Sequence, residues 1–219
     1  MNAQQSELDP HRVLVIDDHP LFRKGVVDLL SMDSSFQLVG EAANGEEGLE
    51  LAQQLKPGLV LLDLNMRGVD GVETLRRLRA MEGSQPKVLI LTVSNAEEDI
   101  VRALRAGADG YLLKDMEPEE ILSYLRSALS GGVAIGPELT GILARALREE
   151  TATVEPDRVS LTPREKQILA LLAEGQSNKL IARELDIAVG TVKVHVKNLM
   201  KKLGLRNRVE VALWASKLR

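Results

Sequence analysis

Three carboxylates, a hydroxyl and an ammonium in the first part of the chain stand where they could do chemistry together. Asp17 ends the apolar run RVLVID (12–17), Asp18 comes directly after it, and Asp63 ends LVLLD (59–63). Thr92 ends KVLILT (87–92) and Lys114 ends DGYLLK (109–114). If these runs are parallel strands of one sheet, their C-terminal ends share an edge, where open α/β sheets bind ligands. Neighbouring first and third strands would make the three carboxylates converge. Like charges that close are costly unless a cation sits among them. Hard oxygen ligands suit Mg²⁺, which keeps several waters and readily shares a phosphate. A hydroxyl and an ammonium on the same edge are what a phosphorylated aspartate needs for charge neutralisation. Any one of these residues alone reads as a solvated surface group, so the reading rests on the set.

The elements that must position them can be read from the pattern. A fifth apolar run, FQLVGE (36–41), completes a series with little alternation, which suits parallel strands covered on both faces. Helical stretches lie between the runs, at about 20–32, 44–55, 70–81, 96–106 and 117–130. Asn44 and Asn95 are the expected N-caps, with Glu47 and Glu98 three residues on. Gly107 is the expected helix stop. Five βα units make a doubly wound parallel sheet. Gly131-Gly132 closes it. Residues 137–150 (PELTGILARALREE) read as one isolated helix, and 151–160 (TATVEPDRVS) as a tether. From Leu161 the strand pattern disappears, and four short helices are expected at 163–174, 177–185, 189–203 and 207–217.

Composition narrows the function classes. The 219 residues are 44% apolar and 27% charged, as in ordinary globular proteins. The absence of cysteine excludes disulfides, thiol nucleophiles and cysteine-ligated metals. The three histidines, His11, His19 and His195, are too scattered for a zinc site. No apolar run approaches the roughly 18 residues of a membrane span, and the segment MNAQQSELDPHR has no apolar core. A soluble cytoplasmic protein without a membrane partner is expected. Charge is unevenly divided. Residues 1–159 hold 16 Lys and Arg against 27 Asp and Glu, a balance of −11, whereas residues 160–219 hold 12 against 5, a balance of +7. Two domains with different partners are expected, the basic one suited to a polyanion.

As a set, Asp17-Asp18, Asp63, Thr92 and Lys114 resemble the receiver domain of two-component response regulators, over about residues 11–131. The resemblance implies a five-stranded sheet in the order 2-1-3-4-5. It implies that Asp63 accepts a phosphoryl group from the phosphohistidine of a sensor histidine kinase. Asp18, Asp63 and the backbone carbonyl of Asn65 would ligate Mg²⁺, with Asp17 acting through water. Thr92 and Lys114 would bind the phosphoryl oxygens, and Tyr111 would be the switch aromatic that turns inward. Two departures stand out. Arg67 (DLNMRG) replaces a frequent proline four residues after the acceptor, and Asp115 replaces the proline that often follows the lysine in a cis bond.

The basic part carries a second pattern. On a helix at 100° per residue, Val192, Val196, Leu199 and Leu203 form one seam, while Lys193, Lys197 and Lys201 lie on another face with Val194 among them. An exposed valine flanked by lysines suits a helix in the DNA major groove. The preceding helix, NKLIAREL (178–185), and a short turn make a helix-turn-helix. LTPRE (161–165), Gly175, Asn178, Ile181-Ala182, Thr191-Val192 and His195 resemble the LuxR/FixJ-type DNA-binding domain over about 160–218. Carried over, Lys193, Val194 and Lys197 are base readers, and Thr162, Asn178, Lys179, Thr191 and Lys201 are phosphate contacts. His195 is expected to pack. The last helix, with Val209, Ala212, Leu213 and Ser216, resembles the one through which these domains pair on an inverted repeat.

The whole arrangement is then a disordered tail (1–10), a receiver (11–131), a linker with one helix (132–159) and a helix-turn-helix domain (160–219) of the NarL/FixJ group. IDDHP, LLDLNM, VSNAEED and GADGYLLKDMEPEE resemble its nitrate/nitrite regulators. The resemblance implies a phosphorylation-switched transcription factor, dimeric when phosphorylated, with RNA polymerase as a candidate partner and a recognition helix masked until phosphorylation. It implies no enzyme. A phosphatase working through Asp63 usually has a second acid two residues later, where this chain has Asn65. A binding module with an inert receiver fits poorly with the complete acid, threonine and lysine set.

Overall fold

The computed structural model describes residues 9–83, 85–136, 139, 161–205 and 207–216. The helix expected at 137–150 (Leu139 apart), the 151–160 tether and most of the 1–10 tail lie outside them. The chain divides between Pro86 and Lys87 into two compact units.

The first unit begins with β1 (His11–Ile16), α1 (Pro20–Ser31), β2 (Phe36–Ala42), α2 (Gly45–Leu55), β3 (Leu59–Leu62) and α3 (Gly71–Ala80). β1 pairs in parallel with β2 on one side and β3 on the other, Val13 facing both Leu38 and Leu59. Val13–Ile16 and Leu59–Leu62 are buried, as their unalternating apolar pattern requires. α2 and α3 start where short polar side chains satisfy free backbone donors. The Asn44 side chain accepts from the Glu47 N–H, and the Glu47 carboxylate returns to the Ala43 N–H. Asp70 caps α3 by accepting from the Glu73 N–H.

The second unit contains β4 (Lys87–Thr92), α4 (Glu97–Arg105), β5 (Gly110–Leu113), α5 (Pro118–Leu129) and β6 (Ala134–Ile135). The sheet order is β2-β1-β3-β4-β5-β6. The expected order 2-1-3-4-5 thus gains a sixth strand, pairing in parallel with β5. Its two residues are too short to show any period. Gly110 admits this close pairing, because a methyl group there would overlap the Ala134 carbonyl oxygen. Asn95 is not the cap of α4. Ala96 holds that position without a side-chain bond. Instead Ser94 Oγ accepts from the Ala96 N–H and donates to Asp99. Gly107 follows α4 at φ +100°, the left-handed geometry that suits glycine.

The helical part of this unit comprises α6 (Pro163–Ala173), α7 (Asn178–Glu184), α8 (Val189–Leu203) and α9 (Arg208–Ser216). Ile168, Leu172, Ile181, Val192, Leu199, Val211 and Trp214 form its core. Thr162 and Glu165 close a full capping box at the start of α6. Glu165 is buried and also accepts from Lys202 Nζ at 2.7 Å, tying α6 to the end of α8. Gly204, at φ +66°, ends α8.

Candidate functional site

In the first unit, β1 and β3 deliver Asp17, Asp18 and Asp63 to one place. One carboxylate oxygen from each lies within 4.8 Å of those of the other two. The ladder continues past the strand ends to hold them: the Asp17 N–H donates to the Ala42 carbonyl and the Asp63 N–H to the Ile16 carbonyl. Asp17 and Asp63 are 3% and 4% exposed, while Asp18 is half-buried. Each acid accepts a backbone donor: His19 N–H on Asp17 at 2.8 Å, Asn65 N–H on Asp63 at 3.3 Å and Arg67 N–H on Asp18 at 3.1 Å. Those donors orient the carboxylates but carry no full positive charge. Three acids so close, with hard oxygens only, fit a divalent cation such as Mg²⁺.

The loop after Asp63 is pinned at its far end. The Gly71 N–H donates to the Leu64 carbonyl, and a methyl group on Gly71 would overlap the Asp63 carbonyl oxygen. Only glycine lets α3 begin this close to the acceptor. The Arg67 departure has a physical consequence, because proline has no N–H and could not bond Asp18. This contact needed the loop's geometry and could not be seen in the residue type.

In the second unit, Thr92 is fully buried at the end of β4, and its hydroxyl oxygen accepts from the Ser94 N–H at 3.3 Å. Lys114 comes just after β5, half-buried, with its N–H on the Thr92 carbonyl. Tyr111 is fully buried on β5 and its phenol donates to the Ser94 carbonyl at 2.8 Å, so it stands in the inward position. The Lys114–Asp115 bond is trans, since no cis peptide bond occurs among the described residues.

The basic residues are placed by α8. Val192, Val196, Leu199 and Leu203 are buried as its seam, while Lys193, Lys197 and Lys201 are exposed and Val194 is 58% exposed. These exposed residues lie on the face of α8 opposite its buried seam. Thr191 and Lys179 are also exposed, and His195 is half-buried beside the seam. Two of the expected phosphate contacts are otherwise engaged. The Thr162 hydroxyl serves the capping box, and Asn178 is buried, its Oδ1 accepting from Arg208 Nη1 at 2.6 Å. Arg208 itself, missed in the sequence, is buried at the start of α9; burial pushes its pKa down to about 10.

Among the described residues, no helix is long and apolar enough to cross a membrane. The family profile described as response regulator receiver domain matches residues 13–126, and that of bacterial regulatory proteins, luxR family, matches residues 159–215. The chain is 53% identical over 209 residues to the nitrate/nitrite response regulator protein NarL of Escherichia coli strain K12, covering 95% of this chain and 96% of that protein. It is 42% identical over 207 residues to the nitrate/nitrite response regulator protein NarP of the same organism, covering 94% and 95%. Among solved structures, the response regulator ChrA of a heme-sensing two-component system aligns over 97% of this chain and 99% of its own, at 34% identity and a TM-score of 0.53. The chain belongs to the response regulators that join a receiver domain to a LuxR-type DNA-binding domain.

Proposed function

We propose that Asp63 is the phosphoacceptor and that its modification governs how the helix-turn-helix, within about 160–219, engages DNA. The observation that carries this is the convergence of Asp17, Asp18 and Asp63 at the ends of β1 and β3. An Asp63 carboxylate oxygen attacks the phosphorus of a kinase phosphohistidine. The new O–P bond forms as the N–P bond breaks, and the imidazole leaves with the bond's electron pair. Asp18, Asp63 and the Asn65 carbonyl would hold Mg²⁺ directly, and Asp17 through a water. Bound there, Mg²⁺ offsets negative charge on the transferring phosphoryl oxygens. In this reading the Thr92 hydroxyl and Lys114 ammonium meet those oxygens, and Tyr111 fills the space inward of Thr92.

The reading of DNA falls to α8. Lys193 and Lys197 reach base edges, Val194 meets a thymine methyl, and Thr191, Lys179 and Lys201 grip phosphates. Thr162 and Asn178 join them where freed from their present bonds. Two phosphorylated copies paired through α9 would read an inverted repeat in the cytoplasm, with RNA polymerase as the downstream partner. The likeness to NarL and NarP supports genes of nitrate and nitrite respiration as targets.

The test is phosphoryl incorporation from acetyl phosphate with Mg²⁺, read by gel retardation of the phosphoprotein. Asp63→Asn should abolish it and leave the fold's circular dichroism unchanged. Full incorporation in that variant would move the acceptor elsewhere.

A further inference from the structure

Arg67 has a side chain that the reaction described above leaves unused. Its root is fixed. The backbone N–H donates to Asp18 Oδ2 at 3.1 Å. The loop turns at Gly68, φ +85°, and closes where the Gly71 N–H meets the Leu64 carbonyl. The head is not fixed. Arg67 is exposed, and among the described residues its guanidinium has no hydrogen bond or ion pair. The space beside it is open, since a methyl group on Gly68 would meet nothing within 4 Å. Arg23 is the opposite case. Its Nη1 donates to the Asp17 carbonyl at 2.5 Å and its Nε lies 3.5 Å from Glu41 Oε2, so that guanidinium is already engaged.

Asp18 and Asp63 offer carboxylate oxygens within 4.8 Å of each other. The Arg67 backbone therefore stands one carboxylate away from the acceptor, and an extended arginine side chain spans that interval. Three acids around one divalent ion keep a net negative charge, and a phosphoryl group on Asp63 adds to it. A guanidinium fork matches phosphoryl oxygens and sheds water more readily than an ammonium. We propose that Arg67 is a phosphoryl-binding residue of this receiver: its guanidinium rests in solvent while Asp63 is unmodified and bonds phosphoryl oxygens through its fork once Asp63 carries the group. The proposal rests on the reading of Asp63 as phosphoacceptor. It separates the side chain's role from that of its own backbone. The N–H orients Asp18 for the metal ion, whereas the guanidinium answers the phosphoryl group. Near the unmodified acids the same positive charge opposes Mg²⁺, so removing it affects the two ligands in opposite directions.

Beryllofluoride, a tetrahedral mimic of the phosphoryl group, separates these roles. Full-length protein would be titrated calorimetrically, first with Mg²⁺ alone and then with beryllofluoride at saturating Mg²⁺. Arg67→Ala keeps the N–H. It should bind Mg²⁺ at least as tightly as the parent, by up to about threefold, as for removal of one exposed charge. It should bind beryllofluoride about tenfold more weakly, as for loss of a charge-assisted hydrogen bond. Arg67→Lys keeps the charge without the fork and should fall between alanine and the parent. A disturbed loop would weaken both ligands together. Parallel losses of Mg²⁺ and beryllofluoride affinity would therefore overturn the proposal, as would an unchanged beryllofluoride affinity in Arg67→Ala. Arg67→Lys matching the parent would overturn the fork geometry. A parent that takes up no beryllofluoride, or an Asp63→Asn variant that takes it up equally, would overturn the acceptor reading instead.

Discussion

The acid cluster and the α8 face handle charge in opposite ways. Asp17 and Asp63 are buried, and each of the three acids is oriented by a backbone N–H. Lys193, Lys197 and Lys201 stand in solvent. Burial raises the cost of each like charge and makes the cluster selective for a small, hard cation. Exposure keeps the lysines hydrated and free to exchange water and counterions for phosphates anywhere along a duplex. The first site obtains its specificity from position, the second from the few side chains that reach base edges.

That contrast can be broken at several points. Replacing Lys193 and Lys197 together by alanine should cost about 2–6 kcal/mol of specific DNA affinity, as two lost base contacts would. Fluorescence anisotropy on a duplex selected for binding would show it, and an unchanged Kd would remove α8 from base reading. Gly71→Ala should destabilise the first unit by about 1–3 kcal/mol, because the methyl overlaps the acceptor's own carbonyl. Urea unfolding measures that cost, and phosphoryl incorporation should fall with it. A lysine-face substitution such as Lys197→Ala should leave stability within about 0.5 kcal/mol.

Glu165 tests the contrast from inside the basic part, as a buried acid on the Lys202 ammonium. The lysine bond, and after it the Thr162 donors, hold the Glu165 carboxyl below its ordinary value of 4.5. A carboxylate lowered on folding contributes stability above its unfolded pKa and loses it as pH falls through the folded value. Glu165→Gln should cost about 1–2 kcal/mol at pH 7. The gap to the parent should narrow below pH 4.5, in thermal melts across that range. A pH-independent gap would contradict the ion pair. A smaller effect than at Glu165 is expected at position 67. Arg67→Ala keeps the N–H to Asp18, whereas Arg67→Pro removes it at a cost of about 1 kcal/mol. Calorimetric titration with Mg²⁺ should separate proline from alanine; equal affinities would show that this bond does not orient Asp18.

Much of this was legible in the residues. Parallel strands buried on both faces write their apolar runs without interruption, so KVLILT marked β4 at both ends. The seam of α8 followed from helical geometry, as did the exposed Val194. The acid cluster followed because strand ends share an edge. What escaped depends on proximity between distant segments. β6 exists only through its pairing with β5. Asn95 does not cap α4, and Ser94 instead accepts from the Ala96 N–H, a local bond that the helical period does not announce. The burial of Asn178 and Arg208 depends on partners far along the chain, and no periodicity announces that.

The single tryptophan of the chain, Trp214, is enclosed in the helical core beside Ile168 and Leu199. Its emission is therefore a local reporter. A denaturation curve followed at that wavelength records the melting of the four-helix part alone, while far-ultraviolet ellipticity sums over both. Coincident midpoints would mean one cooperative transition for the whole chain. Separated midpoints would mean that the signalling and gene-reading parts can lose their structure independently.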